Sequence, residues 1–284
     1  MTAIVIDNAS RDRTLEEVRA RKNVHLIAND RNLGFAAAVN LAIASSDADQ
    51  YLLLNPDVFV HTDPQPLITA SGHDGLAAGK LIDQTRTAQR GFTIRRFPTP
   101  LTLWFELCGL NRIWPSNPLN RRYRYLDRDL DQGGGPVEQP AGAFLMFRRD
   151  VWKKLGGLDE GFFPIWFEDV DFCLRAVEAG YKIQYVPGVE AEHAGGHSIV
   201  GLSRGCRQRF WCASLLRYAA KHFTSLAYRG LCLAVAVTSV PRAVAGMIRE
   251  RSLSPFLSSI GIIRFATGCF LSRRHARPGS GLVS

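Results

Sequence analysis

The eight residues Tyr51-Leu52-Leu53-Leu54-Asn55-Pro56-Asp57-Val58 constrain the fold more than any other stretch of the chain. Four consecutive apolar residues fit a parallel strand covered on both faces. The Asn-Pro step ends it, because proline cannot continue the ladder and pushes Asn55 into an extended conformation. In open α/β sheets the crevice beyond the carboxyl ends of the strands is where ligands bind, so Asp57 stands where a metal or a phosphate would be handled. An Asp in such a turn can also simply cap the next segment. The rest of the chain has to decide between the two.

The first 80 residues alternate strand and helix at short spacing, which predicts an α/β fold with a parallel sheet. Strands are expected at Ala3 to Ile6, Val24 to Ala28, Tyr51 to Leu54 and Leu76 to Leu81, with helices at Thr14 to Arg21 and Phe35 to Ala44. From about residue 83 to 140 the pattern dissolves into Pro, Arg and aromatic residues with Gly133-Gly134-Gly135, and loops with short elements are expected. Regularity returns with a strand at Gly142 to Phe147, helices at Val151 to Leu155 and Val170 to Ala179, and a strand at Tyr181 to Val186. The six cysteines form no C-x-x-C pair, which predicts reduced thiols in a cytosolic compartment. The chain opens directly on a strand-like run, so no signal peptide is expected.

Charge divides the chain in two. Residues 201–284 hold 13 Lys and Arg against one acid, Glu250, whereas residues 1–200 carry 22 basic and 25 acidic side chains. The basic character therefore belongs to a C-terminal extension, 201–284, behind a main domain, 1–200. Its arginines punctuate two uncharged runs of 12 residues, Gly230 to Pro241 and Ser252 to Ile263, each shorter than the roughly 20 apolar residues a bilayer span needs. Amphipathic helices lying on an anionic membrane surface fit this pattern, and a helical cap with a solvated basic face is the alternative. Nucleic acid is not an expected partner, because the tail lacks polar interleaving and the main domain is slightly acidic.

Several clusters carry possible chemistry. Asp7 emerges from the first strand and could accept hydrogen bonds from a nucleobase or ribose, while Asp12 suits a cap on the helix at Thr14. Asn32-Leu33-Gly34-Phe35 is a glycine turn opening a helix of small residues through Asn40, whose free N–H groups could face a diphosphate. Glu168-Asp169-Val170-Asp171 follows an aromatic loop. Acids in a first turn favour the helix dipole, and the pair Asp171 and Arg175 reads as structural. Glu168 and Asp169 face the loop, where carboxylates among aromatics can have raised pKa values and act as a general base. His193 and His197, with Gly195 and Gly196 between them, are either packed residues or metal or phosphate ligands.

Taken in order, Asp7-Asn8-Ala9-Ser10, Asn32-x-Gly34-Phe35-Ala36-x-x-x-Asn40, Leu52-Leu53-Leu54-Asn55-Pro56-Asp57, Gly142-Ala143-x-x-x-x-Arg148-Arg149, Gly156-Gly157-Leu158-Asp159-Glu160-x-Phe162-Phe163, Glu168-Asp169-Val170-Asp171 and His193-x-x-Gly196-x-Ser198 resemble the family 2 glycosyltransferases, in particular their bacterial rhamnosyltransferase-type branch. The resemblance implies a GT-A fold over roughly residues 3 to 200 and inverting transfer of a sugar, with rhamnose the candidate in this branch, from a nucleotide diphosphate donor. It implies Asp57 as ligand of a divalent cation, Mn²⁺ or Mg²⁺, with His193 as a further ligand, and Asp169 as the base, supported by Glu168. The donor would lie against Asp7, Asn8, Asn32, Gly34, Asn55 and Asp57. The expected acceptor is a lipid-linked sugar or polysaccharide in cell-surface glycan synthesis, which places the enzyme in the cytoplasm as a peripheral protein on the inner face of the cell membrane.

The chain departs from the family pattern in two places. Asn55 replaces the first D-x-D carboxylate, and the strand and helix that precede Asp7 in family members do not precede it here. The strands at Ala3 to Ile6 and Tyr51 to Leu54 are then each expected to lack a neighbour, as with an internal start codon or a degraded copy. A catalytically inactive homologue serving as a binding or assembly subunit, and a metal-dependent nucleotide hydrolase using Asp57 and His193, are the competing readings.

Overall fold

The computed structural model describes residues 2–195 and 201–272. His197 and Ser198, and the Gly196 before them, lie outside the described residues. In chain order the first half contains β1 (Ala3–Asp7), α1 (Thr14–Arg19), β2 (Val24–Ala28), α2 (Phe35–Ala44), β3 (Gln50–Leu54), β4 (Val58–Val60), α3 (Gln65–Asp74) and β5 (Gly75–Ile82). The region of degraded pattern holds β6 (Ile94–Arg95), α4 (Pro100–Leu107), α5 (Leu110–Ile113), α6 (Pro118–Tyr123), β7 (Gly135–Pro136) and β8 (Gln139–Pro140). Then come β9 (Phe144–Arg148), α7 (Arg149–Leu155), α8 (Glu168–Glu178) and β10 (Lys182–His193), followed by α9 (Arg204–His222), α10 (Ser225–Glu250) and α11 (Ser254–Ser272).

The main sheet runs β3-β9-β5-β10-β4, with β7 also paired to β10. It is mixed, which corrects the expectation of a parallel sheet. β10 lies parallel to β5, but β9 enters between β3 and β5 and runs antiparallel to both. The Leu52-Leu53-Leu54 run is thus an antiparallel strand, since its partner arrives from the long insertion rather than from a crossover helix. β1 and β2 form a separate parallel pair. Among the described residues β1 pairs only with β2, and β3 only with β9.

α2 ties the two sheets together. Its Ala36, Val39 and Ile43 are buried in one core cluster with Phe147 of β9 and Leu53 of β3, while its N-terminal turn is stitched to β1 by Asn8. Asn40, on the same helix, grips the loop after α7: its amide donates to the Leu158 carbonyl at 2.8 Å and its oxygen accepts from Leu158 N and the Trp152 indole. β5 is buried along its whole length, which is why its eight residues carry only small or aliphatic side chains apart from Lys80. That ammonium is neutralised by Asp131 at 2.6 Å and Glu190 at 2.7 Å.

The basic extension shares its core with the main domain. Leu215, Leu216 and Ala219 of α9 and Leu231 and Val235 of α10 pack with Phe162, Val170, Leu103 and Leu107. A buried ion network reinforces this junction. Asp171 is completely inaccessible and takes Arg175 Nε at 2.8 Å, Lys221 Nζ at 2.6 Å and His222 Nε2 at 2.7 Å. Lys221 also reaches Asp159 at 2.7 Å, and Arg217 joins it there at 2.6 Å. The structural reading of Asp171 and Arg175 is correct and too narrow, because the pair also anchors α9.

α10 and α11 pack along each other and are 26 and 19 residues long. Both are long and apolar enough to cross a membrane by length and composition, which revises the expectation drawn from the 12-residue uncharged runs. A single arginine ends an uncharged run without ending the helix. Leu226, Leu233, Val237, Val244 and Ile248 form an exposed apolar stripe along α10. α4 packs against α10 and leaves Leu101 and Trp104 exposed.

Candidate active site

Asp57 and His193 meet because β4 and β10 pair antiparallel, with Val58 opposite His193, so that the residue before β4 lies beside the last residue of β10. Both are buried, and Asp57 Oδ2 lies 3.6 Å from His193 Nε2. The Asp57 carbonyl also accepts from Ala194 N at 3.0 Å, fixing the turn. His193 is the end of a strand that runs seven residues beyond its predicted limit at Val186, through a bulge between Val186 and Glu190.

Gln89 sets the imidazole. Its amide nitrogen donates to the His193 carbonyl at 2.8 Å, which leaves its oxygen, 3.1 Å from His193 Nδ1, as an acceptor. Nδ1 therefore carries the proton and Nε2 presents its lone pair toward Asp57. Phe92 stacks on the ring at 4.9 Å and 5°. Burial pushes the imidazole pKa below its ordinary value, against the opposing pull of Asp57, so the neutral form is favoured.

These residues fit a divalent cation. Among the described residues Asp57 Oδ1, which is buried, has no hydrogen-bond partner, and the imidazole lone pair beside it has none either once Gln89 fixes the tautomer. Among the described residues no third His, Cys, Asp or Glu joins them, which suits an ion that takes its remaining oxygens from substrate phosphates and water.

The acidic pair sits at the start of α8. The helix begins at Glu168, two residues before its predicted start. The preceding loop enters with Trp166 at φ +83° and Phe167 at φ +70°, a left-handed conformation that bulky residues avoid. α9 and α2 hold that loop: Ser214 Oγ donates to the Ile165 carbonyl at 3.1 Å, and Phe35 N to the Pro164 carbonyl at 2.8 Å. Asp169 Oδ2 accepts from Gly142 N at 2.9 Å and Oδ1 from Val170 N at 2.8 Å. A methyl group at Gly142 would lie 2.9 Å from Asp169 Cβ, so glycine is required for that approach.

Burial raises the Asp169 carboxyl, and the hydrogen bonds from Gly142 and Val170 together with the charge of Arg95 pull it partly back. Glu168 is more deeply buried. Burial and the neighbouring Asp169 push it well above the usual carboxylate range, and among the described residues its Oε2 has no partner. The environment thus treats two adjacent acids differently: both are raised by burial, Glu168 the more strongly, while Asp169 has both oxygens engaged as acceptors.

The segment Ala141–Ala143 joins the parts. Gly142 N holds Asp169, the Ala143 carbonyl accepts from Asn55 N at 3.1 Å, and Ala141 N donates to the Thr93 carbonyl at 3.0 Å. The Asn-Pro-Asp turn, Asp169 and the segment entering β6 are therefore all hydrogen-bonded to three consecutive residues.

The remaining candidates lie around α2. Asp7 is buried; Oδ2 accepts from Ser10 N, and Oδ1 has no partner among the described residues. The Asn8 side chain bonds within the protein, its oxygen accepting from Asn29 Nδ2 and Leu33 N and its nitrogen donating to the Gly34 carbonyl. Asn32 takes Gly34 N at 2.8 Å. With Phe35 N bound to Pro164, the helix-start N–H groups expected to be free are occupied at Gly34 and Phe35, because the aromatic loop docks there. A Cβ on Gly34 would lie 2.9 Å from the Phe163 ring. Gln89, Phe92 and Arg95 carry no role in the sequence reading, since they fall in a stretch without periodicity. The Gly142-Ala143 dipeptide of the family pattern was the one signal pointing to that neighbourhood.

The model for glycosyl transferase family 2 matches residues 1–156, and that for glycosyltransferase-like family 2 matches residues 104–210. An N-acetylglucosaminyl-diphospho-decaprenol L-rhamnosyltransferase of Mycobacterium tuberculosis is 30% identical over 212 residues, 70% of this chain and 68% of that protein. Rhamnosyltransferase WbbL of Escherichia coli K12 is 28% identical over 58% of this chain and 62% of its own length. Among solved structures, that of GalNAc-T7 with UDP, GalNAc and Mn²⁺ superposes with a TM-score of 0.53 at 14% identity, covering 77% of this chain and 41% of that one. The chain belongs to glycosyltransferase family 2 and has the GT-A fold.

Proposed function

We propose that this family 2 glycosyltransferase transfers one sugar, with inversion, from a nucleoside diphosphate donor to a hydroxyl of a lipid-linked acceptor in cell-surface glycan synthesis. The observation that carries the reading is the pairing of an accepting carboxylate, Asp169, with an uncompensated Asp57–His193 pair across one short crossbar. Inverting transfer needs those two features together. The acceptor oxygen attacks the anomeric carbon as the bond to the diphosphate oxygen breaks; Asp169 takes the hydroxyl proton and the electron pair leaves on the phosphate. Asp57 and His193 would hold a divalent cation, which when bound offsets the charge of the departing diphosphate. Asp7, with its free buried oxygen, would meet the base or ribose. Asn55 would line the same donor cleft, and Asn8, Asn32 and Gly34 would shape its wall.

Rhamnose is the sugar to test first and a polyprenyl-diphospho-N-acetylglucosamine the acceptor, on the names of the relatives. A lipid acceptor agrees with the apolar stripe on α10 and the arginines around it. These features support a position on the cytoplasmic face of an anionic membrane, with Trp104 beside α10 suited to the interface. Purified protein with Mn²⁺, a panel of nucleoside diphosphate sugars and that acceptor tests the assignment. Asp169→Asn is expected to lower transfer by ~10²–10⁴-fold with donor affinity unchanged. Transfer within about threefold of wild type would leave Asp169 only its place at the start of α8.

A further inference from the structure

We propose that Arg95 is the cation that grips the donor diphosphate and follows it as leaving group, on the basis of its position between the base and the Asp57–His193 pair. This rests on the reading of the site given above. β6 pairs with β8 so that Arg95 stands opposite Gln139 and Ile94 opposite Pro140. The next residues along the same pairing are Thr93 and Ala141, one step from the Gly142 that holds Asp169. On the other side, the Arg95 guanidinium lies 5.8 Å from the Phe92 ring, and Phe92 is the ring stacked on His193. One arginine thus adjoins both halves of the centre.

Its bonding is incomplete in the way a ligand would complete it. Nε donates to the Gly91 carbonyl at 2.6 Å, which fixes the side chain at its root. Among the described residues no carboxylate lies within salt-bridge distance of the guanidinium, and no acceptor meets its two terminal nitrogens. The neighbouring arginine shows the contrast. Arg96, the next residue along the chain just past β6, is paired to Glu138 at 2.9 Å. Arg95 is half-buried, so its charge is partly desolvated, and a planar fork of free donors is the geometry that suits phosphate oxygens. In the transfer step the bond between anomeric carbon and diphosphate oxygen breaks, its electron pair remains on that oxygen, and a guanidinium there offsets the added charge without giving up a proton.

The test uses the full chain with inorganic pyrophosphate and Mn²⁺ as probes. Mn²⁺ binding alone is followed by electron paramagnetic resonance, and pyrophosphate binding at saturating Mn²⁺ by calorimetry. Arg95→Met is expected to weaken pyrophosphate binding about tenfold or more, the scale of one charge-assisted hydrogen bond, while Mn²⁺ affinity and the melting temperature stay at wild-type values. Arg95→Lys should recover part of the loss, since a point charge replaces the charge but not the fork. Wild-type pyrophosphate affinity in Arg95→Met overturns the assignment of Arg95 alone, as does a parallel loss of Mn²⁺ affinity or fold, which would make the residue a structural brace. A wild-type protein that binds neither Mn²⁺ nor pyrophosphate overturns the reading of the site as well.

Discussion

Replacing Asp171 by Asn separates the structural part of the acidic cluster from its chemical part. The wild-type carboxylate is inaccessible to water and accepts from three groups, Arg175, Lys221 and His222, at 2.6–2.8 Å. Breaking a buried pair by removing one partner costs about 3–5 kcal/mol. The lower end applies here, because the stranded cations keep other partners. Arg175 still donates to the carbonyls of Leu155 and Gly157, and Lys221 still reaches Asp159. About 3 kcal/mol in a chain of this size lowers the melting temperature by roughly 6–12 °C. Urea unfolding of wild type and Asp171→Asn measures the difference directly. The sign of its pH dependence follows from the cations, which hold the Asp171 pKa below the usual carboxylate value despite burial. A depressed acid stabilises the fold above its unfolded pKa, near 4, and that stabilisation is lost as the pH falls through the folded value. The gap between the two proteins should be full at neutral pH and close in acid. A neutral-pH difference under about 1 kcal/mol, or a gap that widens in acid, refutes the account of α9 as clamped to α8 through Asp171.

Gln89→Leu should weaken Mn²⁺ binding by about 10–100-fold, because the imidazole loses the acceptor that fixes its tautomer, and electron paramagnetic resonance titration reads it. Gly142→Ala should cut the turnover number while leaving the Michaelis constant of the donor near wild type, since the added methyl lies 2.9 Å from Asp169 Cβ and the base must shift; steady-state kinetics checks the split. The transfer rate of the wild type should fall on acidification with a midpoint above the ordinary Asp range, because the base must be unprotonated and burial raises its pKa; a pH–rate profile reads that limb. Vesicle co-sedimentation should show binding that needs anionic lipid and weakens in salt, by the roughly 1 kcal/mol that each Lys or Arg near such a surface contributes. Retention through both salt and alkaline extraction would instead make α10 and α11 spanning helices.

How much of this was legible beforehand follows from what kind of information each feature needs. Local periodicity and punctuation were enough for α2, predicted and found at Phe35–Ala44, and for β2 at Val24–Ala28, because a small-residue helix after a glycine turn and a short β-branched run are set by nearest neighbours along the chain. The ordered motifs were enough for the family and the GT-A fold, and for the pairing of Asp171 with Arg175, four residues apart on one helix face. Strand direction was not local. Leu52-Leu53-Leu54 reads the same whether its neighbour runs parallel or antiparallel, and the antiparallel partner comes from residues 144–148. The site depended still more on distant contacts: His193 reaches Asp57 only through the β4–β10 register, and Gln89 reaches His193 across 104 residues of chain. The tail shows the same division, since composition revealed its charge, while only packing put Lys221 and His222 on Asp171. Sequence by itself determined which elements form and which chemistry the motifs bear; tertiary structure decided which carboxylates are buried, which arginine among the described residues lacks a carboxylate partner and which helices hold the loop before Asp169 in place. Burial and partner choice are properties of pairs of residues brought together by folding, and no single stretch of sequence contains them.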